Sequence, residues 1–423
     1  MGEIITKLKT IFTDRLLRKR ILIVLGALVL FRLLAAIPIP GIDTLKLTQF
    51  LNNNQFLGIL NIFSGGGLSN LSIIMLGVGP YITASIIMQL LTIMVPRLKE
   101  LYHEEGEIGR KKFTQYSRIL TVPLAVIQGL SLMIILERQG ILGSLDLFQK
   151  ITALAVIVAG SLFLMWVGEL MSEFGIGNGV SILIFAGIIA QIPKEINQLL
   201  FTFDPSQLPL ILAFIVIGVF IVLGVVVMSE AERPIPVTYA KRIIGNTTTG
   251  GVSTYIPIRI NQAGVMPIIF ALSILLLPQL IGNLLSHFSN GITITISEAL
   301  LKFNEQSWLY VVLYFVFVFV FTYFYTAVTF DPHAMATNLQ KSGAFVPGIR
   351  PGDATEKHVS NIVSRVTFVG AIFLGIIAVL PVIIQKLTGI TAIAIGGTAL
   401  LIVVSVVLDI LKRFDAQLSM REY

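Results

Sequence analysis

The sequence predicts an all-α polytopic membrane protein with ten transmembrane helices in two inverted five-helix halves. Three observations support this fold class: the composition, the long apolar runs, and the distribution of Lys and Arg. The chain has 423 residues, of which 55% are hydrophobic and 13% are charged, and its mean hydropathy is +0.89. Soluble domains carry about 25% charged residues, so this chain has too little polar surface to cover a water-soluble core. The absence of cysteine excludes disulfides and thiolate metal sites.

Ten apolar runs are each long enough to cross a bilayer, which takes about 20 residues in an α-helix. The first run resembles a signal peptide, but it is too long and lacks a convincing cleavage site, so we interpret it as a retained first span. The predicted spans are 21–39, 71–95, 117–136, 151–171, 179–197, 208–229, 263–285, 308–330, 365–384 and 391–411.

Lys and Arg predict the orientation of these spans, because both residues concentrate in cytoplasmic connections. Of the 30 Lys and Arg residues, 23 lie in or at the edges of the termini and the even-numbered connections, six lie in or at the edges of the odd-numbered connections, and Arg32 lies well inside the first span. This alternation predicts that both termini are cytoplasmic. It also explains the net charge of +7 as a determinant of topology and not as a nucleic-acid footprint.

The ten spans divide into an N-terminal half, 1–205, and a C-terminal half, 206–423. "GVGPYI" (77–82) in the second span and "GVMPII" (264–269) in the seventh share the pattern G-V-x-P-x-I. We interpret the fifth and tenth spans as the short, glycine-interrupted ones. Broken segments at matching positions of inverted halves mark the functional centre of many transport proteins.

The span centres are nearly free of charge, which argues against an ion-coupled secondary transporter and against an intramembrane enzyme. Arg32 is the exception, and we expect it to snorkel or to pair with protein. No nucleotide-binding G-x-x-x-x-G-K-[ST] loop and no H-E-x-x-H pair is present. We therefore expect no cofactor and no catalysis, and any work must come from a partner.

The stretch "LGILNIFSGGGLSN" (57–70) is too short and too rich in glycine to span a membrane. Two interpretations of it remain open from the residues alone. It is either an ordinary surface loop or a small mobile helix that dips into a water-filled cavity, where irregular backbone is tolerated.

Five blocks of this sequence resemble one family along essentially the whole chain. They are "FSGGGLSNLSIIMLGVGPYITASIIMQLL", "GEIGRKKFTQYSR", "FLMWVGELMSEFGIGNGVSILIFAG", "NLQKSGAFVPGIRPG" and "IGGTALLIVV". They are similar to the SecY family of protein-conducting channel subunits. The resemblance implies an hourglass pore with a short plug helix, open laterally to lipid between the second and seventh spans. It also implies translocation of unfolded polypeptides across the cytoplasmic membrane and lateral release of hydrophobic segments.

The resemblance assigns three groups of residues to this channel. An apolar pore ring falls on Val78, Ile82, Val180, Ile184, Ile269 and Ile402. The plug falls on Leu60, Asn61, Ile62, Phe63, Ser64 and Leu68, with Gly65, Gly66 and Gly67 as its hinge. Polar residues of the lateral gate are expected at Thr83, Gln89, Thr92 and Gln128.

Two cytoplasmic connections are expected to dock partners. The connection between spans six and seven predicts a β-hairpin, "PVTYAKRI" and "TYIPIRI" around a turn-rich tip, and the connection between spans eight and nine is rich in Pro and Gly. The resemblance implies that Lys241, Arg242 and Arg350 contact the SecA motor ATPase or the ribosome, and that SecE and SecG complete the complex. The hairpin tip lacks the arginines that many members carry, so a weaker ribosome contact is expected there. No nucleic-acid specificity is expected.

Overall fold

The computed structural model is predominantly helical. Among the described residues, the first four helices with defined bounds are α1 Arg15–Ala35, α2 Gly79–Met94, α3 Pro96–His103 and α4 Gly106–Arg138; the next four are α5 Leu147–Phe174, α6 Gly179–Ile189, α7 Leu208–Glu230 and α8 Met266–Leu285. The remaining helices are α9 Gly291–Leu301, α10 Trp308–Thr329, α11 Pro332–Lys341, α12 Asp353–Thr388 and α13 Thr391–Ser419. The residues that the structure describes are 14–39, 61, 64–103, 105–142, 146–193, 197, 208–239, 242–244, 247–249, 253–285, 291–301, 308–388 and 391–419.

Each predicted span overlaps a helix, namely α1, α2, α4, α5, α6, α7, α8, α10, α12 and α13. Within the described ranges, length and apolarity alone identify four helices able to cross a membrane: α4, α5, α10 together with the following α11, and α12. The helices α6, α7 and α8 are apolar but shorter. The fold class is thus an α-helical membrane protein, and the number of ten spans stays a prediction.

The second and tenth spans differ from their predicted shapes. Helix α2 begins at Gly79 and not near residue 71, because 64–78 form a chain of turns in which Leu71 and Gly77 adopt positive φ. Helix α13 runs without a break for 29 residues, so the predicted glycine interruption of the tenth span is wrong. A glycine in a helix interior costs only about 1 kcal/mol, and the apolar residues that follow in α13 contribute to the core. Helix α6, with 11 residues, is short as predicted.

The two G-V-x-P-x-I segments share the same local backbone conformation. Gly77 and Gly264 have φ of 57° and 60°, and each precedes the start of a helix, α2 or α8. Pro80 and Pro267 occupy the first turn of these helices, where the missing N–H of proline has no intrahelical partner to lose. The same local structure therefore introduces the two helices that the sequence paired.

The predicted hairpin between the sixth and seventh spans is confirmed. Strand β1, Glu232–Tyr239, pairs antiparallel with β4, Ser253–Arg259. Two short strands, β2 Arg242–Ile244 and β3 Thr247–Thr249, pair with each other at the tip. Strand β5, Ala344–Phe345, comes from the connection between α11 and α12 and pairs with β1.

A small apolar core joins the hairpin to α12 and to the loop before it. Its buried members are Ile235, Ile258, Val346, Val359 and Val363. The two connections that the sequence treats as separate loops therefore fold together as one unit. Strand β1 pairs with β5, and each connection buries apolar side chains in the same core.

Candidate functional site

A cavity of about 760 Å³ opens between helices α2, α4, α5, α6 and α8. We call it the vestibule. Its wall carries three acidic and three basic side chains, so its formal charge balances. These charged residues are Glu107, Arg110, Lys111, Arg118, Glu169 and Glu173.

An ion pair fixes one wall of the vestibule. Arg118 in α4 donates from Nε and Nη2 to the two carboxylate oxygens of Glu169 in α5, each at 2.9 Å. Tyr81 in α2 also hydrogen-bonds to Glu169. Two parallel charge-assisted bonds give this contact a defined geometry, which links three helices directly beside Ile82. Sequence reasoning could not pair Glu169 with a residue 51 positions away.

The floor of the vestibule is aliphatic. It is formed by Ile82 from α2, Val180 and Ile184 from α6, and Ile269 from α8. All are buried except Val180, which is half-buried. These four belong to the predicted pore ring, and the structure brings them together. The other two, Val78 and Ile402, are each 1% exposed in the same core but do not border the cavity.

Of the residues predicted as plug and hinge, Ser64 to Leu68 are buried and Asn61 is half-buried. Ser64 to Leu68 form buried turns, so the surface-loop interpretation is wrong for these five residues. Because this stretch is a series of turns, the helical form expected for the plug does not extend through it. Asn61 is helical, and Leu60, Ile62 and Phe63 lie outside the described residues. We use the name plug segment for Asn61 together with 64–68.

The plug segment packs against α1 and α6. Gly65, with φ of 64°, lies so close to Gly187 of α6 that a Cβ on Gly187 would overlap its Cα. A Cβ on Gly65 would in turn overlap the ring of Phe31 in α1. Both positions therefore require glycine, and the contact brings two backbones together without intervening side chains.

Helix α6 orders these layers along its length. Asn178, Val180 and Ile184 face the vestibule, whereas Gly187 meets the plug segment. At 1.5 Å per residue, about 4.5 Å of helix separates Ile184 from Gly187. The aliphatic floor thus lies between a polar cavity on one side and a buried, glycine-rich segment on the other.

The predicted gate residues form a partly connected set. Gln128 in α4 donates from Nε2 to Thr83 Oγ1 in α2 at 3.4 Å. Gln89 and Thr92 bond within α2, to Ser85 Oγ and to the Gln89 carbonyl. The Oε1 atom of Gln89 is buried without a hydrogen-bond partner among the described residues. Of these four side chains, Thr83 and Gln128 are the pair that joins two helices.

Sequence reasoning missed a hydrogen bond that links α4 to α8 at this place. The buried hydroxyl of Ser131 in α4 donates to the carbonyl of Leu280 in α8 at 2.9 Å. A carbonyl oxygen has two lone pairs, so the Leu280 carbonyl can accept this bond in addition to a helical one. A single serine in an apolar run gives no sequence signal for a partner 149 positions away.

We use the name hairpin unit for β1 to β5, α11, the loop before α12 and the first turns of α12. Two of the three predicted docking residues, Arg242 and Arg350, lie in the described part of this unit. Arg350 is exposed, and its carbonyl accepts a bond from Thr355 Oγ1 at 2.9 Å. Arg242 lies in β2 opposite Thr249, and Lys241 lies outside the described residues. Nearby, His333 Nδ1 lies 2.7 Å from Glu356 Oε2. Within the described part of the chain, no cluster of three or more His, Cys, Asp or Glu is placed to hold a metal ion.

Comparison with known proteins gives a consistent family. The SecY family model matches residues 72–411. The protein translocase subunit SecY of Synechocystis sp. is 41% identical over 96% of this chain and 93% of its own length. Two solved structures share the fold at low sequence identity. One is described as showing that the plug domain of the SecY protein stabilises the closed state of the translocation channel and maintains a membrane seal. It has a TM-score of 0.62 and 21% identity, and the match covers 92% of this chain and 89% of that one.

The second structure is Sec61 in the canine ribosome–channel complex from the endoplasmic reticulum. It has a TM-score of 0.57 and 19% identity, and the match covers 94% of this chain and 91% of that one. The family model and the relative at 41% identity each span most of the chain. This chain therefore belongs to the SecY family.

Proposed function

We propose that this chain is the central channel subunit of a protein translocase in the cytoplasmic membrane. It conducts unfolded polypeptides through the aliphatic floor of the vestibule and releases hydrophobic segments sideways into lipid. The observation that carries this proposal is the layering along α6, in which a polar cavity, a dry ring and a buried plug segment follow one another within a few residues.

The pore ring acts as the seal. Aliphatic side chains offer water no hydrogen bonds, so a narrow ring of them dewets and resists ions. Their flexibility also lets them close around a passing chain of any sequence. In this proposal Val78 and Ile402 complete the ring formed by Ile82, Val180, Ile184 and Ile269, and the balanced charge of the vestibule avoids strong binding of the passing chain.

The plug segment closes the pore from the outer side, and Gly65 to Gly67 serve as the hinge on which it moves away. The positive φ angles of Gly65 and Gly66, 64° and 85°, support this role because other residues adopt them only with strain. The lateral gate lies between α2 and α8. Opening it breaks the Ser131 bond to α8, and interhelical bonds of this kind are worth about 0.6–1.7 kcal/mol, weak enough to yield to an inserting signal sequence.

The partners proposed are SecE and SecG in the membrane and SecA or the translating ribosome at the cytoplasmic face, with both termini on that face. The chain itself supplies no hydrolysis, so SecA or the ribosome supplies the force. The hairpin unit, with Lys241, Arg242 and Arg350, is the docking surface. Its support is the shared core of the two connections and the exposure of Arg350.

Reconstituted translocation tests this function. The chain is placed in proteoliposomes with SecE, SecG and SecA, and a precursor with a signal sequence is added with ATP. We expect the precursor to become protected from protease, and the same precursor without its signal sequence to stay sensitive. Equal sensitivity of both precursors, together with uptake of small solutes driven by an ion gradient, would reject a channel for polypeptides.

A further inference from the structure

Arg32 is a charged side chain inside the first apolar span, and the sequence assigns it no function. In the structure it is half-buried in α1, and its guanidinium reaches two backbone carbonyls. Its Nη1 donates to the carbonyl of Gly65, and its Nη2 donates to the carbonyl of Ala186, both at 3.3 Å. One side chain thus connects α1, the plug segment and α6.

A second side chain holds the plug segment at its other end. Gln191, just beyond α6, donates from Nε2 to the carbonyl of Asn61 at 3.3 Å. In return Asn61 donates from Nδ2 to Gln191 Oε1, also at 3.3 Å. The side-chain oxygen of Asn61, Oδ1, accepts a hydrogen bond from the backbone N–H of Ser69 at 2.9 Å. This reciprocal amide pair fixes the first residue of the plug segment to the same helix end.

The two attachments share a geometry that suits release. At each attachment, a side chain from α1 or from the end of α6 donates to a carbonyl of the plug segment, that of Gly65 or that of Asn61. Between them lies the Gly65–Gly187 backbone contact, which holds the plug segment close enough for the bonds. These hydrogen bonds can break together without a change in the packing of α1 against α6.

An arginine inside a membrane span is costly and is retained when a partner or a function compensates for it. Its bonds to neutral carbonyls are charge-assisted, and such bonds are about twice as strong as neutral ones. A purely structural tie between α1 and α6 would need the carbonyl of Ala186 alone. The other bond, to the carbonyl of Gly65, must lengthen or break when the plug segment moves away.

We propose that Arg32 and Gln191 form a two-point latch that holds the plug segment closed, and that they act as positioning residues whose loss favours the displaced plug. This inference rests on the proposed function, because it assigns the latch to that same pore. It predicts that weakening either point raises resting permeability and exposes the plug segment before any precursor arrives.

Thiol labelling reports plug displacement directly, because the chain has no cysteine and Leu68 is 0% exposed in the closed arrangement. The parent is Leu68→Cys in proteoliposomes with SecE and SecG, labelled by a charged, membrane-impermeant thiol reagent. Onto it are added Arg32→Leu, Arg32→Lys or Gln191→Leu. The matched control is Lys386→Leu, which also removes one positive charge from a helix, in the last turn of α12, where Lys386 lies over the ring of Trp308. Ion conductance and precursor translocation are measured on the same vesicles.

We expect Arg32→Leu to accelerate labelling and raise resting conductance at least tenfold, with Gln191→Leu also raising both. A lysine can reach one carbonyl but not both, so Arg32→Lys should fall between the parent and Arg32→Leu. Lys386→Leu should match the parent. If Arg32→Leu does not fold, Arg32→Lys and Gln191→Leu decide the outcome.

The latch is overturned if every folded Arg32 and Gln191 variant has the same labelling rate and the same resting conductance as the parent. If the parent translocates precursors in that case, the proposed function stands without it. A parent that labels slowly and translocates nothing would reject the proposed function instead. Equal acceleration by Lys386→Leu would show a general loss of packing and would also overturn the latch.

Discussion

Replacing Ile184 by asparagine should convert the dry seal of the pore into a leak. Ile184 is 1% exposed and lies on the floor of the vestibule next to Ile82 and Ile269. Burying an isoleucine side chain stabilises a dry arrangement by about 1.5–3 kcal/mol. An asparagine amide left without partners there costs about 1–3 kcal/mol. Both effects destabilise the closed, dehydrated ring. Water that enters from the vestibule can hydrogen-bond to the asparagine amide and so removes the cost of leaving it unpaired.

The combined shift is therefore about 2.5–6 kcal/mol in favour of a hydrated ring, and each 1.4 kcal/mol corresponds to a factor of ten in population. Relaxation of neighbouring side chains reduces this figure, so we expect at least a tenfold rise in resting ion conductance. The assay is single-channel or bulk ion flux in proteoliposomes without a translocating precursor. The same variant should also accept precursors with defective signal sequences.

The matched control is Ile184→Leu, which keeps an aliphatic side chain of the same volume and should cost little. Its conductance should stay near that of the unaltered chain. The reasoning about a dry ring is refuted if Ile184→Asn and Ile184→Leu, inserted at equal density, conduct ions equally poorly.

Three further outcomes are expected. Gly187→Ala should lower the melting temperature and expose the plug segment to labelling, since the added methyl overlaps Gly65; unchanged melting and labelling would contradict the close contact. The Glu356 carboxylate raises the pKa of His333 above its usual value, so their contact should stabilise the hairpin unit below about pH 6.5 and weaken as the pH rises through the raised pKa. Limited proteolysis should follow that trend, and Glu356→Gln should abolish it. Ser131→Ala removes the bond to the α8 carbonyl and should make lateral release of a signal sequence several-fold faster, as measured by crosslinking to the gate helices. A slower release would contradict the role of Ser131 in the gate.

Patterns within a short stretch of sequence predicted most of the helical architecture. Ten apolar runs coincide with helices, and the G-V-x-P-x-I repeat correctly marked two matching helix starts, because glycine and proline act locally. The start of α2 was wrong by eight residues. The turns of 64–78 are as apolar as the helix after them, since both are buried, and hydropathy cannot separate buried turns from a buried helix.

Contacts between distant residues were beyond the sequence. The Arg118–Glu169 pair and the Ser131 bond to Leu280 join residues 51 and 149 positions apart, and neither has a local pattern. Arg32 was identified as unusual by its charge, yet its partners are backbone carbonyls, which are present at every position and leave no trace in composition. The pairing of β5 with β1 was missed for a similar reason, because a two-residue strand is too short for periodicity to indicate.

Site-specific photocrosslinking of a stalled precursor tests the central claim most directly. A photoreactive residue is placed at Ile82, Ile184 or Ile269, or at Leu212 in α7, which is 54% exposed in the described structure and serves as the control. If polypeptides pass through the aliphatic floor, the stalled chain forms adducts at the three ring positions and none at Leu212. A stalled, protease-protected precursor that forms no adduct at any ring position would contradict the account.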